Sequence, residues 1–367
     1  MAIDYMQRAL ELARKALGKV SPNPAVGAVI VKDGEIVGEG YTQPPGSSHA
    51  EVVAIAEAGE AARGATMYVT LEPCCHFGRT PPCTQAIISS GIAEVHMAML
   101  DPNPLVNGRG KAELESAGIK TYLGEHEQEA QELNEAYVKF ITTKLPFVIA
   151  KFAMSLDGKI ATKALDSKWI SNQMSREYVH NLRGIVDAVM VGVNTVLQDD
   201  PQLTARLRKV NRQPLRVIVD SFGRTPLTAK VFQAPGRTLL ATTTDIKLSV
   251  ADKYAKAGAD VVPLPPKDGL VDLEKLLRVL GEREITSVLV EGGGTLLGSL
   301  FDLKLVDKVV AFIAPIIIGG REAITPVGGE GVKTIAEALK LCRVKVERFG
   351  EDVMISGYLR RGKCSAA

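Results

Sequence analysis

His49-Ala50-Glu51, then Pro73-Cys74 and Pro82-Cys83, put an imidazole, two thiols and a carboxylate into one stretch of chain. A histidine nitrogen and two thiolates can hold Zn²⁺ on three sides and leave the fourth position to water. A metal held in this way lowers the pKa of that water to about 7, making hydroxide available at neutral pH. Glu51, two residues after His49, can shuttle the proton from this water to a departing amine. The chemistry implied is hydrolytic deamination, with His49, Cys74 and Cys83 as metal ligands and Glu51 as the catalytic acid-base. Cys75 is an alternative thiolate to Cys74, and His76 would complete a four-ligand set if the metal were structural. His96, His126 and His180 have no metal-like spacing and are assigned to surface or core.

These side chains must be delivered by regular elements. Asp4 caps an expected first helix with an apolar face of Met6, Ala9, Leu10, Ala13 and Leu17, ended by Gly18. Two strands, 25–32 and 35–41, flank an Asp33-Gly34 turn. A helix over 49–59, capped by Ser47 or Ser48, carries His49 and Glu51, and a strand over 66–71 delivers Cys74. A helix over 82–90 places Cys83 in its first turn, so that each ligand falls at the start of a helix, whose dipole favours a thiolate. A strand (94–99), a helix (111–117), a short strand (119–123) and a single helix (127–141) follow. Pro146 ends this half, and the alternation restarts with a strand over 147–153, a helix over 175–183 and a strand over 188–193 leading into a turn at Thr195. Later strands are expected at 215–220, 238–242 and 287–290, and the apolar run 309–318 reads as a core strand ending at Gly319-Gly320. Alternating strands and helices imply sheets covered on both faces, in two α/β domains of unequal size.

Composition bounds the partners. The 367 residues are 46% hydrophobic and 23% charged with a net charge of +2, as expected for a soluble protein without a nucleic-acid surface. Five cysteines in a chain of this length argue for a reducing cytoplasm over a disulfide scaffold. The N-terminal residues carry too many charges for a secretory signal, and the longest apolar run is too short to span a bilayer.

The eight residues between Cys74 and Cys83 depart from the usual P-C-x-x-C spacing. The segments Thr70-Leu71-Glu72-Pro73-Cys74, His76, Gly78 and Thr80-Pro81-Pro82-Cys83 resemble the deaminase of riboflavin biosynthesis, as do Ser21-Pro22-Asn23-Pro24 and Asp101-Pro102-Asn103-Pro104. That family usually has Ser at the position of Cys75. The resemblance implies a cytidine-deaminase-like three-layer αβα domain over residues 1–145. It implies hydrolysis of 2,5-diamino-6-(5-phosphoribosylamino)pyrimidin-4(3H)-one, with Asn23 at the pyrimidine edge and His76 and Arg79 at the ribose phosphate.

The second half, 146–367, resembles the reductase of the same bifunctional family. The segments Lys151-Phe152-Ala153-Met154-Ser155-Leu156-Asp157-Gly158, Asp166-Ser167-Lys168-Trp169-Ile170, Val191-Gly192-Val193-Asn194-Thr195 and Leu203-Thr204-Ala205-Arg206 carry the likeness, together with Glu291-Gly292-Gly293-Gly294. It implies a dihydrofolate-reductase-like α/β fold and NADPH-dependent reduction of the ribosyl group, giving 5-amino-6-(5-phosphoribitylamino)uracil. Ala153, Trp169, Thr195, Asp199 and the run Gly293, Gly294, Thr295, Leu296, Leu297, Gly298 and Ser299 are the implied cofactor contacts, the glycines letting a diphosphate approach the backbone. Lys151, Ser167, Arg183, Leu203, Arg206 and Glu291 are the implied substrate contacts, with both arginines suited to phosphate, and either Lys151 or Asp199 could assist proton transfer. Ser221 and Arg224, after the strand ending at Asp220, are candidates for the cofactor's 2′-phosphate. A homo-oligomer, dimer or tetramer, is also implied. The competing possibilities are a nucleoside or tRNA-editing deaminase fused to an unrelated oxidoreductase, a nucleotide sensor, and a protein with one live half.

Overall fold

The computed structural model describes residues 3–78, 80–206 and 212–360. The chain divides into two compact units, Met1–Leu145 and Pro146–Ala367.

The first unit runs α1 (Tyr5–Arg14), β1 (Gly27–Lys32), β2 (Glu35–Tyr41), α2 (Ala50–Ala58), β3 (Thr66–Val69), α3 (Cys83–Ser90), β4 (Glu94–Met97), α4 (Arg109–Ser116), β5 (Lys120–Leu123), α5 (Glu127–Leu133) and α6 (Glu135–Thr143). Its sheet has the order β2-β1-β3-β4-β5, antiparallel between β2, β1 and β3 and parallel from β3 to β5. Glycines decide where two helices lie. A Cβ on Gly27 would meet Ala9 O of α1 at 1.9 Å, and one on Gly40 would meet Ala50 O of α2 at 2.1 Å. Gly40 pairs with Ala28, the neighbour of Gly27, so the two glycines face opposite sides of the sheet. Hence α1 and α2 cover opposite faces, and α2, which follows His49, sits directly on the β2 backbone.

The expected single helix over 127–141 is broken at Asn134. Its side chain turns away to bond both backbone groups of Ala25, accepting from the N–H at 2.9 Å and donating to the carbonyl at 3.1 Å. Asp4 caps α1 by accepting from Gln7 N–H at 2.8 Å and also meets His126 at 2.8 Å. Asp4 raises the pKa of His126, and the Gln7 N–H with His126 lowers that of Asp4. The histidine's contribution is therefore complete below its unfolded value of about 6.5 and disappears as pH rises through the raised folded value. The aspartate's contribution is lost only as pH falls through its lowered one. His126→Gln should lower the melting temperature of this unit by about 2 °C at pH 6 and leave it unchanged at pH 8.5, measured by differential scanning calorimetry.

The second unit comprises β6 (Phe147–Ser155), α7 (Gln173–Ile185), β7 (Ala188–Gly192), α8 (Val193–Asp199), β8 (Leu215–Val219), α9 (Lys230–Gln233), β9 (Thr238–Thr243), α10 (Leu248–Lys256), β10 (Ala259–Leu264), β11 (Pro266–Lys267), β12 (Leu270–Val271), α11 (Leu273–Glu282), β13 (Ser287–Val290), α12 (Gly294–Asp302), β14 (Lys308–Ala314), β15 (Leu341–Phe349) and β16 (Asp352–Leu359). The large sheet has the order β10-β9-β8-β7-β13-β6-β14-β16-β15. It is parallel from β10 to β14, and its last two strands are antiparallel. Val148, Met190, Val217, Leu239 and Val290 meet Leu276, Leu297 and Leu300 in its core.

Two expectations change here. The turn at Thr195 is a helix, α8. The apolar run 309–318 is strand only to Ala314, because Pro315 follows, and Ile317 is exposed. Among the described residues no helix is long and apolar enough to cross a membrane.

Candidate functional site

In the first unit the chain reverses between β2 and α2, and His49 is the residue that caps α2 in an extended conformation, in place of the expected serines. Its side chain makes no capping bond and turns toward the cysteines. Pro82 caps α3, whose first residue is Cys83. Cys74 lies on the loop after β3 and not at a helix start, but α3 still serves it: the Cys83 N–H donates to Cys74 Sγ at 3.4 Å.

His49 Nδ1 lies 3.2 Å from Cys83 Sγ and 3.6 Å from Cys74 Sγ. Donors at ordinary zinc bond lengths around one tetrahedral ion are about 3.5 Å apart, so the three atoms fit a zinc ion without rearrangement. They form the metal-competent cluster among the described residues. Cys75 is outside it, its thiol donating to Leu105 O at 3.8 Å, and His76 is outside it too. The alternatives left open by the sequence, Cys75 as ligand or His76 as a fourth one, are thus resolved by geometry.

Glu51 is 4% exposed in the first turn of α2. Burial, reinforced by the charge of Cys74, pushes its carboxyl up to about 7. The shared hydrogen bond between the cysteines lowers the Cys74 thiol and raises the Cys83 thiol. Asn23 is half-buried on the turn before β1. His76 Nδ1 is buried without a hydrogen-bond partner among the described residues, and Arg79 lies outside them. Thr80, which the sequence did not single out as a site residue, places its hydroxyl 3.3 Å from His49 Nε2.

In the second unit a cavity of about 700 Å³ opens among β6, α7, α8 and the turn after β13. Lys151, Ala153, Ser167, Trp169, Arg183, Thr195, Asp199, Leu203, Arg206, Glu291 and Gly293 all line it. Trp169 is 70% exposed over this space with the Arg176 guanidinium 4.8 Å from its ring centroid, so it is a cavity wall and not a core anchor. Gly293 N–H donates to Thr195 Oγ at 3.2 Å, and Ser167 donates to Asp199 Oδ1 at 3.2 Å.

Arg183 is held by partners within the unit. Its guanidinium donates to both Glu291 oxygens, at 2.6 and 2.9 Å, and to Thr204 O at 3.1 Å. Three of its five N–H groups are engaged in this way, and Arg206 is an exposed cation lining the same cavity. Burial works to raise the Glu291 carboxyl, but Arg183 and Lys151 together hold it below its usual range. Burial also lowers the Lys151 ammonium, with Glu291 opposing and Arg183 assisting.

The glycine run also serves the packing of the unit. A Cβ on Gly294 would lie 2.6 Å from Thr325 O and one on Gly298 2.3 Å from Gly328 C. These two glycines let the chain's own 325–329 segment pack on α12, and Leu296 and Leu297 belong to the core. Of residues 293–299, only Gly293 lines the cavity. Ser221 does not line it and accepts from Val271 N–H at 3.0 Å. Arg224 donates to Asn194 Oδ1 at 3.0 Å, beside Thr195. Sequence reasoning missed Arg176 and His180, which line the cavity with Arg183. The spacing 176, 180, 183 is one helical face and was a usable signal.

An α/β sheet unit presenting one histidine, two cysteines and a buried glutamate, joined to a parallel-sheet unit with a charged cavity, defines a zinc-dependent deaminase linked to a reductase. Two family models agree: "Cytidine and deoxycytidylate deaminase zinc-binding region" matches residues 2–99, and "RibD C-terminal domain" matches 146–355. The riboflavin biosynthesis protein RibD of Aquifex aeolicus is 47% identical over 352 residues, covering 96% of this chain and 97% of that one. RibD of Actinobacillus pleuropneumoniae is 45% identical over 355 residues, covering 96% and 94%. Solved structures are similar over the same span. Acinetobacter baumannii RibD has a TM-score of 0.86 at 37% identity, covering 97% of this chain and 98% of that one. A Thermotoga maritima diaminohydroxyphosphoribosylaminopyrimidine deaminase/5-amino-6-(5-phosphoribosylamino)uracil reductase has 0.84 at 38%, with the same coverage. The chain belongs to the RibD family, the bifunctional deaminase/reductases of riboflavin biosynthesis.

Proposed function

We propose that residues 1–145 deaminate 2,5-diamino-6-(5-phosphoribosylamino)pyrimidin-4(3H)-one and residues 146–367 then reduce the ribosyl group of the product with NADPH. The convergence of His49, Cys74 and Cys83 beside the buried Glu51 carries this reading. Zinc held by the three ligands supplies Lewis-acid chemistry, lowering the pKa of water enough to give a nucleophile at neutral pH. Glu51, whose carboxyl burial pushes up to about 7, takes a proton from the attacking water and gives it to the pyrimidine nitrogen, then takes the proton of the newly added hydroxyl and gives it to the departing amine as the carbonyl forms. Asn23 orients the pyrimidine edge, and His76, whose buried Nδ1 has no other partner among the described residues, binds the phosphoribosyl arm with Arg79.

In the reductase unit NADPH supplies a hydride. Thr195, Gly293 and Trp169 would hold the cofactor, and Ser167, Leu203 and Arg206 would hold the substrate. Lys151, which lines the cavity beside Glu291, is the proton donor of this step in preference to Asp199, since burial already weakens its hold on a proton. Arg224 and Ser221 remain the candidates for the 2′-phosphate. Arg224→Ala should raise the KM for NADPH about tenfold, the effect of losing one charged hydrogen bond, and leave that for NADH unchanged. An unaltered preference between the two cofactors would remove the assignment.

The chain acts in the cytoplasm as a homo-oligomer, readings that rest on its family membership. The whole reading is tested by giving zinc-loaded protein the diaminopyrimidine substrate with and without NADPH. Ammonia release should not require NADPH, and NADPH oxidation should follow only after deamination. No ammonia from a zinc-replete sample would overturn it.

A further inference from the structure

Glu72, two residues before Cys74, is 3% exposed, and its carboxylate is met only by backbone donors among the described contacts. Oε2 accepts from Asp101 N–H at 3.1 Å and from Gly108 N–H at 2.9 Å, and Oε1 accepts from Lys111 N–H at 3.0 Å. Both ends of the 101–108 loop are therefore cinched onto one oxygen. The same carboxylate caps α4, whose own N-cap, Gly108, has no side chain to do so. The loop is braced internally, since Asp101 accepts from Asn103 N–H at 2.9 Å and Asn103 from Leu105 N–H at 3.1 Å. At its tip Leu105 O accepts from the Cys75 thiol. At its base a Cβ on Gly110 would lie 2.1 Å from Pro73 O. The segment bearing Cys74 is thus held to this loop on both sides, through Glu72 and Cys75, and packed against α4 at Pro73.

We propose that Glu72 is a positioning residue of the deaminase: by gathering three backbone N–H groups it locks the 101–111 segment against Pro73-Cys74 and fixes the Cys74 thiolate in the metal cradle. The proposal rests on the zinc-deaminase reading. Glutamine at this position has one acceptor oxygen and turns an NH₂ group toward a backbone N–H, so one side of the clamp opens. Gly110→Ala disturbs the same segment from the α4 side with Glu72 intact.

The test is zinc transfer from Glu72→Gln and Gly110→Ala proteins to a colorimetric chelator, with the thiolate-to-metal absorption of their Co²⁺ forms. Reduction of the deaminated pyrimidine by the second unit controls for folding. Zinc release should accelerate about 10–100-fold, the usual effect of disturbing residues that orient metal ligands. The Co²⁺ band should shift, the kcat for ammonia release should fall, and reduction should be unchanged. A lower melting temperature with wild-type zinc release and Co²⁺ spectrum in both variants would make Glu72 purely structural and overturn the proposal. Wild-type protein is assayed alongside, because its failure to release ammonia would instead remove the deaminase reading.

Discussion

Glu51→Gln protein should lose ammonia release by about 10²–10⁴-fold, the range for removing a positioned general acid-base, while its reductase unit turns over the deaminated substrate at the wild-type rate. The substitution keeps the shape of a side chain that is 4% exposed and removes a carboxyl whose ionisation burial already opposes. Stability should therefore hold or rise slightly, and zinc content should be unchanged, since Glu51 is not among the converging donors. The loss should appear equally in kcat and kcat/KM, the signature of an interaction made in the transition state. Ammonia release within tenfold of wild type would pass the proton-transfer role to another group.

Breaking the pair at the centre of the reductase cavity should have the largest effect on stability. Arg183 and Glu291 side chains are 13% and 10% exposed and joined by two hydrogen bonds. Arg183→Leu leaves that carboxylate buried with no partner on its two oxygens from Arg183 and only the charges of Lys151 and His180 to offset it, at a cost of about 3–5 kcal/mol. The Thr204 carbonyl loses a donor as well. Because Arg183 holds Glu291 below its ordinary range, its stabilisation is complete above the unfolded carboxylate pKa. It is lost as pH falls through the folded value, so urea-unfolding curves of variant and wild type should converge in acid. Arg183 also depresses Lys151, so residual reduction should show its basic limb at higher pH. The double variant Arg183→Leu, Glu291→Leu should regain most of the stability and none of the reductase activity. Equal unfolding free energies for wild type and Arg183→Leu at neutral pH would show the pair contributes no net stability.

Much of this architecture was legible because hydrophobic periodicity and turn chemistry are local. The strand Glu35–Tyr41, the helix start at Cys83 and the strand Ser287–Val290 fall where the residue pattern places them. Local patterns failed where a distant partner decided the outcome. Asn134 leaves its helix to satisfy Ala25, more than a hundred residues away in sequence. Nor could the pattern show that the glycines at 294 and 298 also have to admit residues 325–329 against α12.

The sequence by itself determined the chemistry. His49, Glu51, Cys74 and Cys83 are residue types with few joint uses, and the motifs around them identify the family. Only the tertiary structure decided which of two adjacent cysteines meets the histidine, that Arg183 is bound to Glu291, and that Glu72 ties the Cys74 segment to a loop nearly thirty residues on. The reason is physical. Residue type sets what a group can donate, accept or coordinate, but which donor reaches which acceptor is fixed by packing between segments far apart in the chain, and burial then sets the charge each one carries.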